Sequence, residues 1–278
     1  MSHHPHFQKT QDSRPPFEFD KTCHYTKPPQ PDWHVGQGLN QAPLPHTDIH
    51  KSQSKIKTFI PYEDLTPAEC YKLMINSVVP RPIALCSTIS SQGVPNLAPF
   101  SYFNAVGSNP PCIMLSCTPR GGHGKDTSEN IKHSKEFVVA IISEPFIEAA
   151  NYTAIDTPPE VSEWALSGLT PQPSIKVKPA RIQESAINME CQLEHIYEMF
   201  DPSDSNKVSQ TFIIGKIKAW HIKEEVLVDG GPLISIEKLR PCYRLGGISY
   251  GRVTEAYELL RPVWNNEKDK EEVLKLLN

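Results

Sequence analysis

Apolar runs alternate along this chain with short polar, turn-forming stretches, and from residue 56 onward the pattern reads mainly as strands. "PIALCSTI" and "VPNLAPFSYFNAV" are strand-like and are separated by Ser90, Ser91, Gln92 and Gly93, a hairpin loop with its glycine at the end. "PCIMLSCT" and "EFVVAII" supply two buried strands, and "INMECQLEHIYEMF" and "VSQTFIIGKIKAWHI" two long ones joined by the turn-rich "DPSDSNK". Helical signals are fewer. Thr66 as N-cap, Pro67 at the first helical position and Glu69 three residues after the cap predict a helix from Pro67 to about Asn76. "PFIEAANYT" reads as a short helix, "EVSEWALSGL" as one stopped by Gly168, and "NEKDKEEVLKLLN" as an amphipathic surface helix. Short turns between most neighbours give a mainly β architecture, an antiparallel β-barrel with peripheral helices.

Three segments follow from this pattern. Residues 1–55 hold eight prolines and seven of the eleven histidines, with Phe7, Phe17, Phe19, Tyr25 and Trp33 scattered at no regular period. Such a segment builds no core of its own and reads as an extended or disordered arm, free to lie across the domain through its aromatics. Residues 56–262 form the barrel domain, and 263–278 the terminal helix.

Charge is distributed unevenly. Between Arg81 and Arg120 lie 38 residues, Pro82 to Pro119, without Asp, Glu, Lys, Arg or His; an average composition would place about eight charges there. The window is dense in Ser, Thr and Asn, a neutral wall that suits an uncharged planar ligand whose anionic tail reaches a rim arginine. A net charge of -4 lacks the basic footprint of a nucleic-acid binder. No apolar run is long enough for a membrane span or a signal peptide, so a cytoplasmic protein is expected. Seven cysteines without a C-x-x-C pair indicate reduced, mostly buried thiols.

Two constellations could bind a ligand. In "PRGGHGKDTSENIKHS" a glycine-rich turn feeds a helix start with Asp126 and Glu129 at capping-box spacing, and Arg120, Lys125, Thr127 and Ser128 make a sensible phosphate cradle. It is not a P-loop, and a solvated loop whose Asp126 merely caps the helix accounts for it equally well. In "NLAPFSYFN", alternation sends Asn96, Ala98, Phe100, Tyr102 and Asn104 to one face and Leu97, Pro99, Ser101 and Phe103 to the other. Asn96 and Asn104 then need partners, from the backbone or from a heteroaromatic edge. Cys112 and Cys117 read as core residues, and His123 as a loop residue or a ligand contact. No catalytic dyad is evident, which points to a cofactor as the source of reactivity.

"VVPRPIALCSTISSQGVPNLAPFSYFNAVGSNPPCIMLSC", followed by "KDTSENIKHSKEFVVAIIS" and "EAANYTAIDTPPEVSEWALSGLTPQPS", resembles the flavin reductase-like family with the FMN-binding split barrel, its flavoredoxin-type members above all. The likeness runs from about Tyr62 to Gly251. It implies a Greek-key-like antiparallel split barrel, homodimeric, with FMN or FAD near the subunit interface, NADH or NADPH as electron donor and a small-molecule acceptor. By motif it implies that Ser87, Thr88, Asn96, Ala98, Ser101, Tyr102, Phe103 and Asn104 surround the flavin, with Ser116 and Cys117 on the next strand. Lys125, Asp126 and Thr127 match the family's K-D-T near the phosphate, and Asn151 a residue near the ring pocket. The flavin's N5 then carries the chemistry, with no catalytic side chain. An electron carrier, a flavin sensor or an oxygenase acting on a small organic substrate would use the same barrel. The chain departs from the family in the inserted "GGHG", which bears on Arg120, and in its long arm.

Overall fold

Two strands that adjoin in sequence lie at opposite ends of one sheet. The computed structural model describes residues 7–51, 55–119 and 124–277. The arm holds α1 (Phe7–Asp12), β1 (His24–Thr26) and α2 (Asp48–Lys51). Next come α3 (Pro67–Ser77), β2 (Arg81–Pro82), β3 (Ala84–Ile89), β4 (Pro95–Phe100), β5 (Phe103–Ser108) and β6 (Pro111–Cys117). They are followed by α4 (Asp126–Ser134), β7 (Glu136–Ile141), α5 (Ile147–Tyr152), α6 (Glu163–Ser167) and the two-residue strands β8 (Pro171–Gln172) and β9 (Arg181–Ile182). The long β10 (Ile187–Asp201) and β11 (Asp204–Ile222) precede α7 (Ile236–Leu239), β12 (Cys242–Arg244), β13 (Tyr250–Arg252), β14 (Glu255–Tyr257), α8 (Trp264–Glu267) and α9 (Glu271–Leu277).

The main sheet has the order β4-β3-β7-β10-β11-β6-β5, with every pair antiparallel. β4 and β5 occupy its two edges, yet only Ser101 and Tyr102 separate them. Two residues span no more than about 7 Å, so the sheet must curl until its edges meet. The result is a split barrel with a seam at Ser101–Tyr102.

The barrel interior is filled by residues such as Cys86, Phe100, Phe103, Leu115, Phe137 and Ile213. Gly215 on β11 admits the Phe137 ring, since a Cβ there would sit 2.2 Å from Phe137 Cζ. A second core lies outside, where Leu85, Leu97 and Ala140 meet Phe146, Ala150 and Trp164 beside α5 and α6. β3, covered on both sides, is buried from Ala84 to Thr88.

Several expectations are corrected. "VPNLAPFSYFNAV" is not one strand: the bend at Ser101–Tyr102 resets the alternation, so Phe100 and Phe103 both enter the barrel core while Asn104 is exposed. The "DPSDSNK" connector shrinks to Pro202–Ser203 because the ribbon pairs as far as Asp201 and Asp204. The terminal helix is broken into α8 and α9, with Val273 its buried anchor. The predicted helix at Pro67 forms with both capping-box bonds and extends one residue past Asn76. In the arm, β1 pairs in parallel with β14. Among the described residues no helix is long and apolar enough to cross a membrane. Six of the seven free cysteines are buried and Cys70 is half-buried.

Candidate functional site at the barrel seam

The seam places the half-buried bend Ser101–Tyr102 beside a cavity of about 410 Å³. Ala98, Pro99, Phe100, Ser101 and Tyr102 form one wall, continued by Ser116 of β6 and by Thr118 just past its end. The Ser116 N–H donates to Tyr102 O at 2.9 Å, stitching the bend to β6. Opposite stand Tyr71 and Ile75 of α3, Thr153 and Ala154 after α5, and Arg244 of β12. Arg81, Lys125 and Arg244 line this cavity, with no carboxylate among the described residues around it. An uncharged wall facing three cations is the environment in which a neutral ring system with an anionic tail is held.

Arg81, which marks one end of the neutral window, is buried. Its Nη1 donates to Ile75 O and Val78 O at 2.7 Å, its Nη2 to Leu245 O at 3.0 Å, and its Nε to Ser101 Oγ at 3.4 Å. These bonds make it a clamp between the end of α3, the seam and the β12–β13 turn. The tail of a ligand is therefore better served by Lys125 and Arg244. Arg120 and His123 lie outside the described residues.

Behind the wall is a buried polar knot. Thr88 Oγ1 accepts from Asn96 Nδ2 at 3.2 Å and from Asn130 Nδ2 at 3.0 Å, and Asn96 Nδ2 also reaches Thr127 Oγ1 at 3.1 Å. Side-chain hydroxyls, not the backbone, thus serve the Asn96 amide. The knot ties the start of α4 to β3 and β4 and so sets where Lys125 stands. Ser87 is buried on β3, and neither Ser87 nor Thr88 lines the cavity.

Lys125, not Asp126, is the N-cap of α4, and it makes no side-chain capping bond. Asp126 is the first helical residue, so the expected capping box does not form. Lys125 also borders a second hollow of about 370 Å³, together with Asn96, Asp126, Thr127, Asp156 and Glu163. Burial pushes the Asp126 carboxyl above its ordinary value, and neighbouring Glu163 adds to the rise. The carboxylates make this hollow the less favourable of the two for an anion. Glu163 Oε2 accepts the Leu97 N–H at 3.0 Å and Oε1 the Thr157 hydroxyl at 2.6 Å, which holds the outer edge of β4.

Other residues singled out in the sequence fall elsewhere. Phe103 and Cys117 turn into the barrel core, and burial pushes the Cys117 thiol up to about 12. Asn104 lies outside the cavity, in a groove with Met114 and Phe212, and its Oδ1 accepts from its neighbour Ala105 N. Asn151 Oδ1 accepts the Tyr250 hydroxyl at 2.6 Å. Tyr250 in turn carries Arg244 over its ring at 4.3 Å. Asn151 thereby supports the cavity's arginine from behind. The sequence reading missed Arg244, Gln210 and Glu163. Gln210 donates to Ser116 Oγ and accepts from Thr118 Oγ1 at 2.9 Å, fixing two hydroxyls of the wall. Gln210 sits between Ser209 and Thr211 on β11, one polar residue in a short polar run that does not single it out.

Known proteins share this fold. Component B of nitrilotriacetate monooxygenase from Bacillus cereus superposes with a TM-score of 0.70 at 36% identity, covering 74% of this chain and 100% of that one. The 2-nitrobenzoate 2-nitroreductase of Pseudomonas fluorescens gives 0.65 at 31% identity, over 74% and 98%. Flavoredoxin of Desulfovibrio vulgaris shares the fold, with a TM-score of 0.54 at 24% identity over 67% and 92%. About a quarter of this chain thus has no counterpart in the first two. The family model described as the flavin reductase like domain matches residues 76–237, which include the barrel, the seam and α4. With the split barrel, the cation-lined seam and this match together, the chain belongs to the flavin reductase-like family.

Proposed function

We propose that the seam cavity binds FMN and that the protein is an NAD(P)H-dependent flavin oxidoreductase. The observation that carries this reading is the pairing of an uncharged wall, Ala98 to Tyr102 and Ser116, with three cations and, among the described residues, no carboxylate. The residues present fit a flavin mononucleotide: Lys125 and Arg244 would hold the phosphate, and the Ser101 and Ser116 hydroxyls would meet the polar edge of the ring. The cavity volume lies within the range of about 300–1,000 Å³ usual for such ligands. FAD would have to extend its second nucleotide beyond the cavity. A bound flavin supplies hydride acceptance and onward electron transfer.

The chain's own task is then positioning. Tyr102 and Phe100 give apolar walls that exclude water, and no acid or base is needed at hydride-transfer distance. The buried, unreactive Cys117 takes no part. Two relatives above 30% identity are named as a monooxygenase component and as a nitroreductase. Those names support a small organic molecule or a partner enzyme as the electron acceptor, and free, mostly buried thiols fit a cytoplasmic protein.

Reconstitution tests the reading. The protein is incubated with FMN, FAD and riboflavin, desalted, and mixed anaerobically with NADH or NADPH. Retained yellow FMN that bleaches rapidly supports the reductase. Retained FMN that neither nucleotide bleaches would leave an electron carrier or sensor, and a colourless protein would overturn the site itself.

We also propose that the barrel works as a homodimer. The groove beside the seam, lined by Met74, Val78, Met114 and Phe212, shares Ser101, Tyr102 and Ser116 with the cavity, and Met74 and Val78 are exposed. A second copy seated there would cover this apolar surface and close the cavity. Sedimentation should give a dimer for the wild type and a monomer with weakened FMN binding for Met74→Glu.

A further inference from the structure

The arm builds a second cavity against the barrel, about 1000 Å³ in volume and distinct from the seam. Parallel pairing of β1 with β14 anchors the arm, with Cys23 buried just before it. This fixes the preceding segment, in which Pro15, Pro16, Phe17 and Phe19 roof a floor that includes Ile147 and Tyr250. Phe17 and Phe19 meet edge to face at 5.2 Å. Arg252 lies 4.2 Å from the Phe17 ring centre, which holds the roof to β13. Yet the two rings remain 55% and 82% exposed, a large apolar surface held at the mouth of a cavity.

The charges in the cavity select the occupant. Arg14, Arg240 and Arg252 line it, facing Glu18, Glu144 and Glu148. Glu18 is already paired with Lys21. Arg240 and Arg252 both bind the same oxygen, Glu144 Oε2, at 2.9 and 3.3 Å. Three guanidiniums therefore face two carboxylates that no lysine has taken, and one acceptor oxygen serves two forks able to bind more. A planar apolar body with a single negative acceptor group complements both features.

We propose that this arm-roofed cavity is a binding site for a small aromatic carboxylate, its ring against Phe17, Phe19 and Tyr250 and its carboxylate at Arg240 and Arg252. The site does not depend on the flavin reading. It shares no lining residue with the seam cavity.

The test is calorimetric titration of the full chain with 2-naphthoate, with and without saturating FMN. A single binding event per chain is expected, unchanged by FMN. The exposed pair F17A/F19A should weaken it about tenfold, and Arg252→Gln by a similar factor. Phe7→Ala, elsewhere on the arm, should leave it intact. Naphthalene-2-carboxamide, the uncharged analogue, should bind about tenfold more weakly. Absence of binding, equal binding by F17A/F19A, displacement by FMN, or equal affinity for the carboxamide would each overturn the assignment. Neither aromatic residue belongs to a barrel core, so their loss leaves the barrel intact, and Arg252→Gln and the carboxamide read the charged end of the site separately.

Discussion

Arg81 and Arg244 are register partners in the antiparallel pairing of β2 with β12, two cations directly opposite one another beside the seam cavity. Like charges in that relation repel. Carbonyl dipoles offset the charge of Arg81, whereas Arg244 donates to Gly247 O at 2.6 Å and stacks on Tyr250. An anion between Arg244 and Lys125 would relieve the repulsion.

Arg244→Gln is therefore expected to move the melting temperature of the flavin-free protein little, while removing most of the rise that FMN produces. A bound ligand stabilises by an amount set by its concentration over its Kd, so a tenfold weaker Kd removes about 1.4 kcal/mol at saturation. Thermal melts of both proteins with and without FMN measure it. An undiminished rise would place the phosphate elsewhere.

Lys125 and Thr127 are neighbours in the K-D-T motif but face different surroundings. Lys125 borders the cavity, whereas Thr127 is 1% exposed and bonded to Asn96. Lys125→Ala should weaken FMN about tenfold and leave riboflavin unchanged. Thr127→Val should instead cost about 1–3 kcal/mol of stability by stranding the Asn96 amide, and weaken both ligands alike. Fluorescence titration with the two flavins, beside urea denaturation, separates the two roles.

What could be read from the chain was what is local. The Thr66–Glu69 capping box and the Gly168 stop form between residues a few positions apart, and both occur. The charge-free window marks the seam because β3, β4 and β6 within it face the two cores or the cavity wall, where an unpaired charge is costly. Long-range relations left no trace. Thr88 meets Asn130 across 42 positions, and Arg81 meets Leu245 across 164. The bend at Ser101–Tyr102 was hidden because the period of 2 continues through it in sequence. Only the opposite-edge positions of β4 and β5 require it. The family resemblance supplied the split barrel, and the geometry then divided the motif residues between wall, knot and core.

Gly215 should be intolerant of the smallest side chain. Its added Cβ would meet the Phe137 ring at the centre of the barrel, where neither strand nor ring can withdraw cheaply. Gly215→Ala is expected to cost about 1–3 kcal/mol. Phe137→Leu opens space at the clash, so the double variant should lose less than the two single losses added together. Denaturant unfolding of all four proteins checks this; strict additivity would show that the contact is not the cause.

Glu190 provides the pH dependence. Its side chain is fully buried on β10, where it accepts the N–H groups of Ile175 and Val177 at 2.8 and 3.2 Å and lies 2.6 Å from His221 Nε2. Burial alone would raise this carboxyl, but the backbone donors of Ile175 and Lys176 together with His221 hold it below the ordinary carboxylate value. A depressed carboxyl stabilises the fold fully above the unfolded-state value, near 4.3, and loses that contribution as the pH falls through the lower folded value. Glu190→Gln keeps the shape but not the charge and turns an amide N–H₂ towards a backbone donor, so it should cost about 3 kcal/mol at neutral pH. The difference between wild type and variant should shrink below about pH 4 as the wild-type carboxyl protonates. Urea titrations across that range measure the gap. A gap independent of pH would mean that packing, not the carboxylate, holds the 175–177 segment to the barrel.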